Sequence, residues 1–267
     1  MELAPGVCTV APPLENELLY RRRVLQAVAD VTDRPLRELR VLDLGALEGG
    51  FAIEFAMHGA EVVAVEGRKG NCERIAFAAE VLGLDNLATH QQDVRAVTVD
   101  ELGTFDVVLC LGLLYHLDAE SVLPFLRNLA ALTTKACVID THVALYDRMT
   151  ITDEGRTYAG DLFVEHPEGA TQRQIDESWW ASLDTTPSFF FTEPSLLNAL
   201  QDVGYSSVHR CEVPYYQIMF DRRTLICLRR ERVALRSWSG HVDVAPTRPP
   251  VGSRDVVEPI NRLPLAS

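Results

Sequence analysis

Three short stretches hold the side chains best suited to chemistry. The first is Asp43-Leu44-Gly45-Ala46-Leu47-Glu48-Gly49-Gly50, a turn rich in glycine that follows an apolar run. Glycine lets a chain bend sharply and lets backbone come close to a ligand. The second is Glu66, followed by Gly67, at the end of Glu61-Val-Val-Ala-Val-Glu66. It lies 21 residues past Gly45 (66 − 45), close to the ~20 expected for an acid that grips ribose hydroxyls. The third is Gln92-Asp93-Val94, which puts a carboxylate where an adenine amino group could be read. Beyond these lie Tyr115-His116 and Asp140-Thr141-His142. A histidine titrates near neutral pH, so His116 is the first candidate for a proton acceptor, with His142 and Tyr115 behind it. A histidine bonded to backbone at a helix start is the plain alternative for His116. Asp140-x-His142 could also suggest a metal, but no third acidic ligand lies nearby in sequence, and no metal is expected.

These residues need strands to carry them. Val41–Leu44, Glu61–Glu66, a weaker run before Asp93, Phe105–Leu111 and Ala136–Asp140 are continuous apolar segments, as expected for strands covered on both faces. Helical patterns separate them at Phe51–His58, Asn71–Leu82 and Ala119–Thr133, the last expected to bend near Pro124. Thr192 is expected to cap a helix running to Val203. Ser206–Val213 and Thr224–Leu228 read as an antiparallel pair. The class is α/β: a Rossmann-like, doubly wound, seven-stranded sheet, mostly parallel with an antiparallel C-terminal hairpin. Residues 1–37 form an N-terminal helical region and 38–239 the main domain. A lid is inserted at about 143–191, too long for an ordinary loop. From 240 to 267 there are five prolines, a tail poorly ordered or draped on a neighbour. In such sheets ligands bind at the carboxyl ends of the strands, where all three stretches lie.

A dinucleotide fingerprint needs a second glycine where this chain has Leu47, and Glu48 beside it would repel a pyrophosphate. S-adenosylmethionine carries the same adenosine without phosphates and a cationic sulfonium, so it fits better; NAD(P) is the runner-up. At this point the sequence resembles class I S-adenosylmethionine-dependent methyltransferases, over roughly residues 38 to 230, through VLDLGALEGGFA, EVVAVEG, QQDV and FDVVLCLGLLYHL. The resemblance implies that Asp43, Gly45 and Gly49 surround the methionine moiety. It implies that Glu66 holds the ribose, that Asp93 and Val94 border the adenine, and that Leu111 and Gly112 lie beside the sulfonium. Leu47 departs from the family's second glycine and puts the path of the loop in question. Glu48 is a candidate to orient the methionine amino group.

The lid supplies Tyr158, Trp179, Trp180 and Phe190 as candidates to line a substrate cavity, with packing of the lid as the alternative. Lys+Arg is 25 against Asp+Glu 38, a net charge of −13, which argues against a nucleic-acid binder. Arg222, Arg223, Arg229, Arg230 and Arg232 form the one basic cluster, and charge protection of an edge strand explains it without RNA. No apolar run reaches the ~18 residues of a membrane span. The first twenty residues lack the basic start of a leader, and the six cysteines show no paired spacing, so a cytoplasmic protein with free thiols is expected. The partner is then a small molecule, and a homodimer is compatible with the reading. A tRNA wobble-uridine-type transferase and a non-catalytic relative that keeps the sheet without the cofactor are the alternatives.

Overall fold

The computed structural model describes residues 2–4, 7–9, 15–178, 180–212, 221–237, 240–242 and 248–251. After helix α1 (Glu15–Val31) come β1 (Arg40–Leu44), α2 (Gly50–Met57), β2 (Glu61–Glu66), α3 (Lys69–Leu82) and β3 (Leu87–Gln91). The chain then crosses to β4 (Phe105–Leu111), α4 (Val122–Leu132) and β5 (Thr133–His142). The last strands of this sheet are β9 (Ser207–Arg210) and β10 (Arg222–Leu228). Spatial order is β9-β10-β5-β4-β1-β2-β3. The pairs among β1 to β5 are parallel, whereas β10 runs antiparallel to β5 and to β9. The chain starts mid-sheet, winds out to β3, then returns to β4. The order therefore reverses between β1 and β4, which opens a crevice at their carboxyl ends.

The strands form where the apolar runs are continuous because both faces are covered. Leu42, Leu44, Val108 and Cys110 pack with α4 on one side, and Val41, Val107 and Leu109 pack with α1 and α2 on the other. Pro124 does not bend its helix as expected. The helix begins at Val122, so proline falls in the first turn, where an N–H has no helical partner to lose. Thr192 precedes helix α6 (Glu193–Asp202; α5 lies in the lid, below), but its hydroxyl does not cap it. It donates instead to the carbonyl of Val251 at 2.9 Å, and Ser195 Oγ does the same. Asn198 binds the Pro249 carbonyl at 3.0 Å, so residues 248–251 of the tail strap α6.

The insertion is not a structureless loop. It folds as an antiparallel sheet of β6 (Met149–Asp153), β7 (Arg156–Phe163) and β8 (Ser188–Phe191) in the order β8-β7-β6, with α5 (Gln172–Glu177) between β7 and β8. Glu154 and Gly155 both have positive φ, 49° and 76°, the two-residue turn that matches strand twist. This sheet is seated on the main one through Phe189 N to Leu117 O (2.8 Å) and Ala144 N to Phe191 O (2.7 Å).

Gly49 ends the turn after β1 with φ +77°, and a Cβ there would lie 2.9 Å from Ile75 Cγ1. Left-handed backbone and steric crowding both oppose any side chain. Gly49→Ala is expected to cost roughly 2–4 kcal/mol, about 1–2 for the φ and the rest for overpacking, read as a fall in denaturant midpoint at unchanged m.

Candidate active site

The turn after β1 holds its shape through two carboxylates. Asp43, buried at the strand end, accepts from the amide of Ala52 at 3.1 Å and so ties the turn to the start of α2. Leu47 has φ +49°, the conformation a glycine would take without cost. The loop thus keeps the bend that the missing glycine put in question, and pays with local strain. Glu66 secures it: one carboxylate oxygen accepts from Leu47 N at 2.9 Å and the other from Arg68 N at 2.8 Å. Glu66 is 3% exposed. Each oxygen retains acceptor capacity beyond its one amide.

Burial raises the Asp43 carboxyl to about 7; the Ala52 amide opposes this and the nearby charge of Glu66 adds to it. A pKa higher in the fold than in the open chain means that the folded state holds the proton longer. Asp43 then contributes stability below pH ~4 that is lost as pH rises through about 7. Asp43→Asn keeps the acceptor for Ala52. It is expected to flatten the fall in stability between pH 4 and 8 relative to the parent protein, measured by denaturant titration at each pH.

Helix α1 roofs this turn. Tyr20 packs edge-on against Phe51, ring centroids 5.5 Å apart, and a Cβ on Gly50 would lie 2.7 Å from the Arg21 guanidinium carbon. Glu48 accepts from Thr9 at 2.5 Å. Gly45 faces Leu113, with its would-be Cβ 3.2 Å from Leu113 Cδ1. At the end of β3, Asp93 is clasped by Arg95, whose amide, Nε and Nη2 all donate to it. Burial alone would raise this carboxyl, but Arg95 outweighs burial and holds it low. Arg95 also reaches Asp184 of the lid at 3.0 Å. Val94 beside it is buried.

Across the crevice, Leu111 ends β4 and the Gly112 amide donates to Asp140 O at 2.9 Å. The Tyr115 hydroxyl lies over Gly112, 3.5 Å from the position of a Cβ. Its ring stands 4.2 Å from that of His116, 4.7 Å from His142 and 5.9 Å from Phe190. Phe163 joins the group at 5.3 Å from Phe190. Burial raises the Tyr115 phenol, so it stays neutral. His116 Nδ1 is 2.6 Å from Glu165 Oε2, and His142 Nδ1 is 3.1 Å from Asp221 Oδ2. Asp140 is spent elsewhere, on Arg222 Nε at 2.5 Å and Thr224 Oγ1 at 2.7 Å.

The structure therefore gathers His116, Tyr115, His142 and Phe190 in one cluster, formed by the loop after β4, the end of β5 and β8 of the lid. Tyr158 lies elsewhere: it is buried in the core, with its hydroxyl donating to Asp202 at 2.8 Å. Trp180 is 73% exposed, and Trp179 lies outside the described residues. Glu165, Phe163 and Arg68 are additions that motif spacing did not reveal. Of the arginine cluster, Arg222 pairs with Asp140 and Arg223 with Glu193. Arg229 donates to the Thr133 carbonyl and Arg230 to that of Val31.

Residues 17–210 match the family model described as a methyltransferase domain. The chain belongs to the methyltransferase-domain family. Among solved structures, it is similar to the N-terminal domain of EvdMO1 in the presence of S-adenosylhomocysteine and D-fucose, at 25% identity and a TM-score of 0.62. That match covers 83% of this chain and 85% of the other. The magnesium protoporphyrin IX methyltransferase of Synechocystis PCC 6803 shares the fold at 19% identity and a TM-score of 0.52, covering 83% and 87%. No curated protein matches the chain. Among the described residues, no helix is long and apolar enough to cross a membrane.

Proposed function

We propose that this protein is an S-adenosylmethionine-dependent methyltransferase acting on an oxygen or nitrogen of a small organic molecule, with carbon acceptors less favoured. The observation that carries the reading is the Glu66 carboxylate at the tip of β2, held 2.9 Å from the turn after β1, in a chain of methyltransferase family and fold. The residues fit an adenosyl ligand: a carboxylate with spare acceptors at the end of β2, beside a tight glycine-containing turn after β1. The similarity to a domain studied with S-adenosylhomocysteine and D-fucose supports both the cofactor and a small acceptor.

When bound, S-adenosylmethionine supplies an electrophilic methyl carbon on a cationic sulfur. The chain's own task is to align the acceptor, exclude water and remove a proton. Glu66 would hold the ribose, the turn from Gly45 to Gly49 would border the methionine end, and Leu111 with Gly112 would lie near the sulfonium. His116 Nε2 takes the proton that an O–H or N–H acceptor loses. Tyr115, His142, Phe163 and Phe190 present aromatic faces to an apolar or stacked acceptor. The −13 charge and the engaged arginines speak against an RNA substrate. The unpaired thiols of Cys110, Cys137 and Cys227, buried in the core, suit a reducing cytoplasm. We assign residues 38–239 to the catalytic domain, with α1 as its roof.

Leu183 of the lid lies against Gly67, next to Glu66, 2.4 Å from the position of a Cβ. Titration calorimetry tests the reading. Saturable heat is expected with both S-adenosylmethionine and S-adenosylhomocysteine; no heat from either, in folded protein, favours a non-catalytic relative.

A further inference from the structure

The lid brings a buried carboxylate to the proton acceptor. Glu165 lies just past β7, with its side chain 8% exposed against 14% for His116. Its Oε2 stands 2.6 Å from His116 Nδ1 and also accepts from the Ser182 amide at 3.0 Å. Its Oε1 accepts from the Ser188 hydroxyl. Burial alone would raise this carboxyl, but His116, Ser188 and Ser182 outweigh it and keep it in the low, ionised range. An ionised carboxylate cannot donate, so the Nδ1 facing it must carry the hydrogen. In neutral imidazole that leaves Nε2 bare, as a proton acceptor requires.

The same segment is fastened to the cofactor side. Arg68 Nη2 donates to the carbonyls of Ala181 at 3.0 Å and Ser178 at 3.1 Å, while Arg68 N donates to Glu66. His166, buried next to Glu165, holds the Ser182 carbonyl at 3.0 Å. Residues 165–178 and 180–184 thus touch Arg68, just past the strand that bears Glu66, and also reach His116.

We propose that Glu165 is a positioning residue: it holds His116 as the Nδ1–H tautomer, so that a side chain of the lid completes the base. This rests on the reading of His116 as proton acceptor. Among the described residues, Tyr115 stands 4.2 Å from the ring, His142 of β5 stands 4.7 Å from Tyr115, and Asp118, two residues past His116, is 3.5 Å from Arg95. Beyond Tyr115 lies Arg222 of β10, paired with Asp140.

Nitrogen-15 NMR of histidine-labelled full-length protein at mildly alkaline pH tests the assignment, with His116→Gln identifying the resonances. The parent protein is expected to show His116 protonated at Nδ1. Glu165→Leu, which takes the acceptor away from Nδ1, should move it towards the Nε2–H form, and Glu165→Asp should keep part of the parent signal. Glu165→Gln should hold the parent tautomer, because the Ser182 amide selects its carbonyl oxygen for the position that faces Nδ1. In turnover, Glu165→Leu should lower kcat at least tenfold with KM little changed, short of the about 10⁴-fold that a wrong tautomer costs a Ser–His–Asp triad. Ser188→Ala, which removes one hydroxyl donor, should give a weaker version of the same changes and serves if Glu165→Leu does not fold. A His116 signal unchanged in folded Glu165→Leu overturns the positioning role. A changed tautomer in a protein that methylates no acceptor leaves the Glu165–His116 coupling standing and overturns the proposed reaction instead.

Discussion

Replacing His116 with alanine is expected to lower kcat by about 10²–10⁴-fold, the usual worth of a positioned acid or base. Affinity for S-adenosylmethionine should barely move, because the ring packs with Tyr115 and Glu165 in the loop after β4 and not in the turn after β1. The comparison needs kcat for an acceptor found by screening and the cofactor Kd by calorimetry. Equal losses in both would make His116 a structural residue. The variant also strands Glu165, which keeps the Ser182 amide and Ser188 hydroxyl as partners but loses the ring. Leaving a buried carboxylate short of a partner costs stability, so a melting curve must accompany the kinetics.

Glu66→Ala acts at the other end. One or two charge-assisted hydrogen bonds to ribose, roughly 1.5–3 kcal/mol each, would be lost. Cofactor Kd should therefore rise on the order of tenfold to more than a hundredfold. The amides of Leu47 and Arg68 lose their acceptor as well. Part of the loss then comes from a loosened turn, where Leu47 already holds a strained φ. Glu66→Gln separates the two contributions, since its carbonyl still accepts one amide. Unchanged affinity in folded Glu66→Ala would remove this carboxylate from the cofactor site.

The sheet was legible because its signal is local. Val62 to Val65 and Val107 to Cys110 are buried runs whose ends mark the crevice, and the sequence placed Glu66 and Gly112 at those ends. Local physics also explains two misreadings. Pro124 reads as a breaker until the helix start is known, and Thr192 reads as a cap until the tail carbonyl of Val251 competes for its hydroxyl. The hairpin in the lid had a signal, Glu154-Gly155 between two short stretches that carry Thr150, Thr152 and Thr157, that a search for helices and long loops passes over. Glu165 had none. It lies 49 residues from His116, and the contact exists because β7 and β8 fold back over the loop after β4. Tyr158 illustrates the converse: an aromatic in a lid has the composition of a ligand contact, yet here its hydroxyl is satisfied by Asp202 within the core.

Methyl transfer itself is tested most directly by incubating the protein with S-adenosylmethionine labelled in the methyl group and a small-molecule extract, then following the label by mass spectrometry. One or a few low-mass products should gain a labelled methyl group, and His116→Ala should nearly abolish them. Label appearing in RNA alone, or in no product while the folded protein still binds S-adenosylhomocysteine, would contradict a small-molecule methyltransferase.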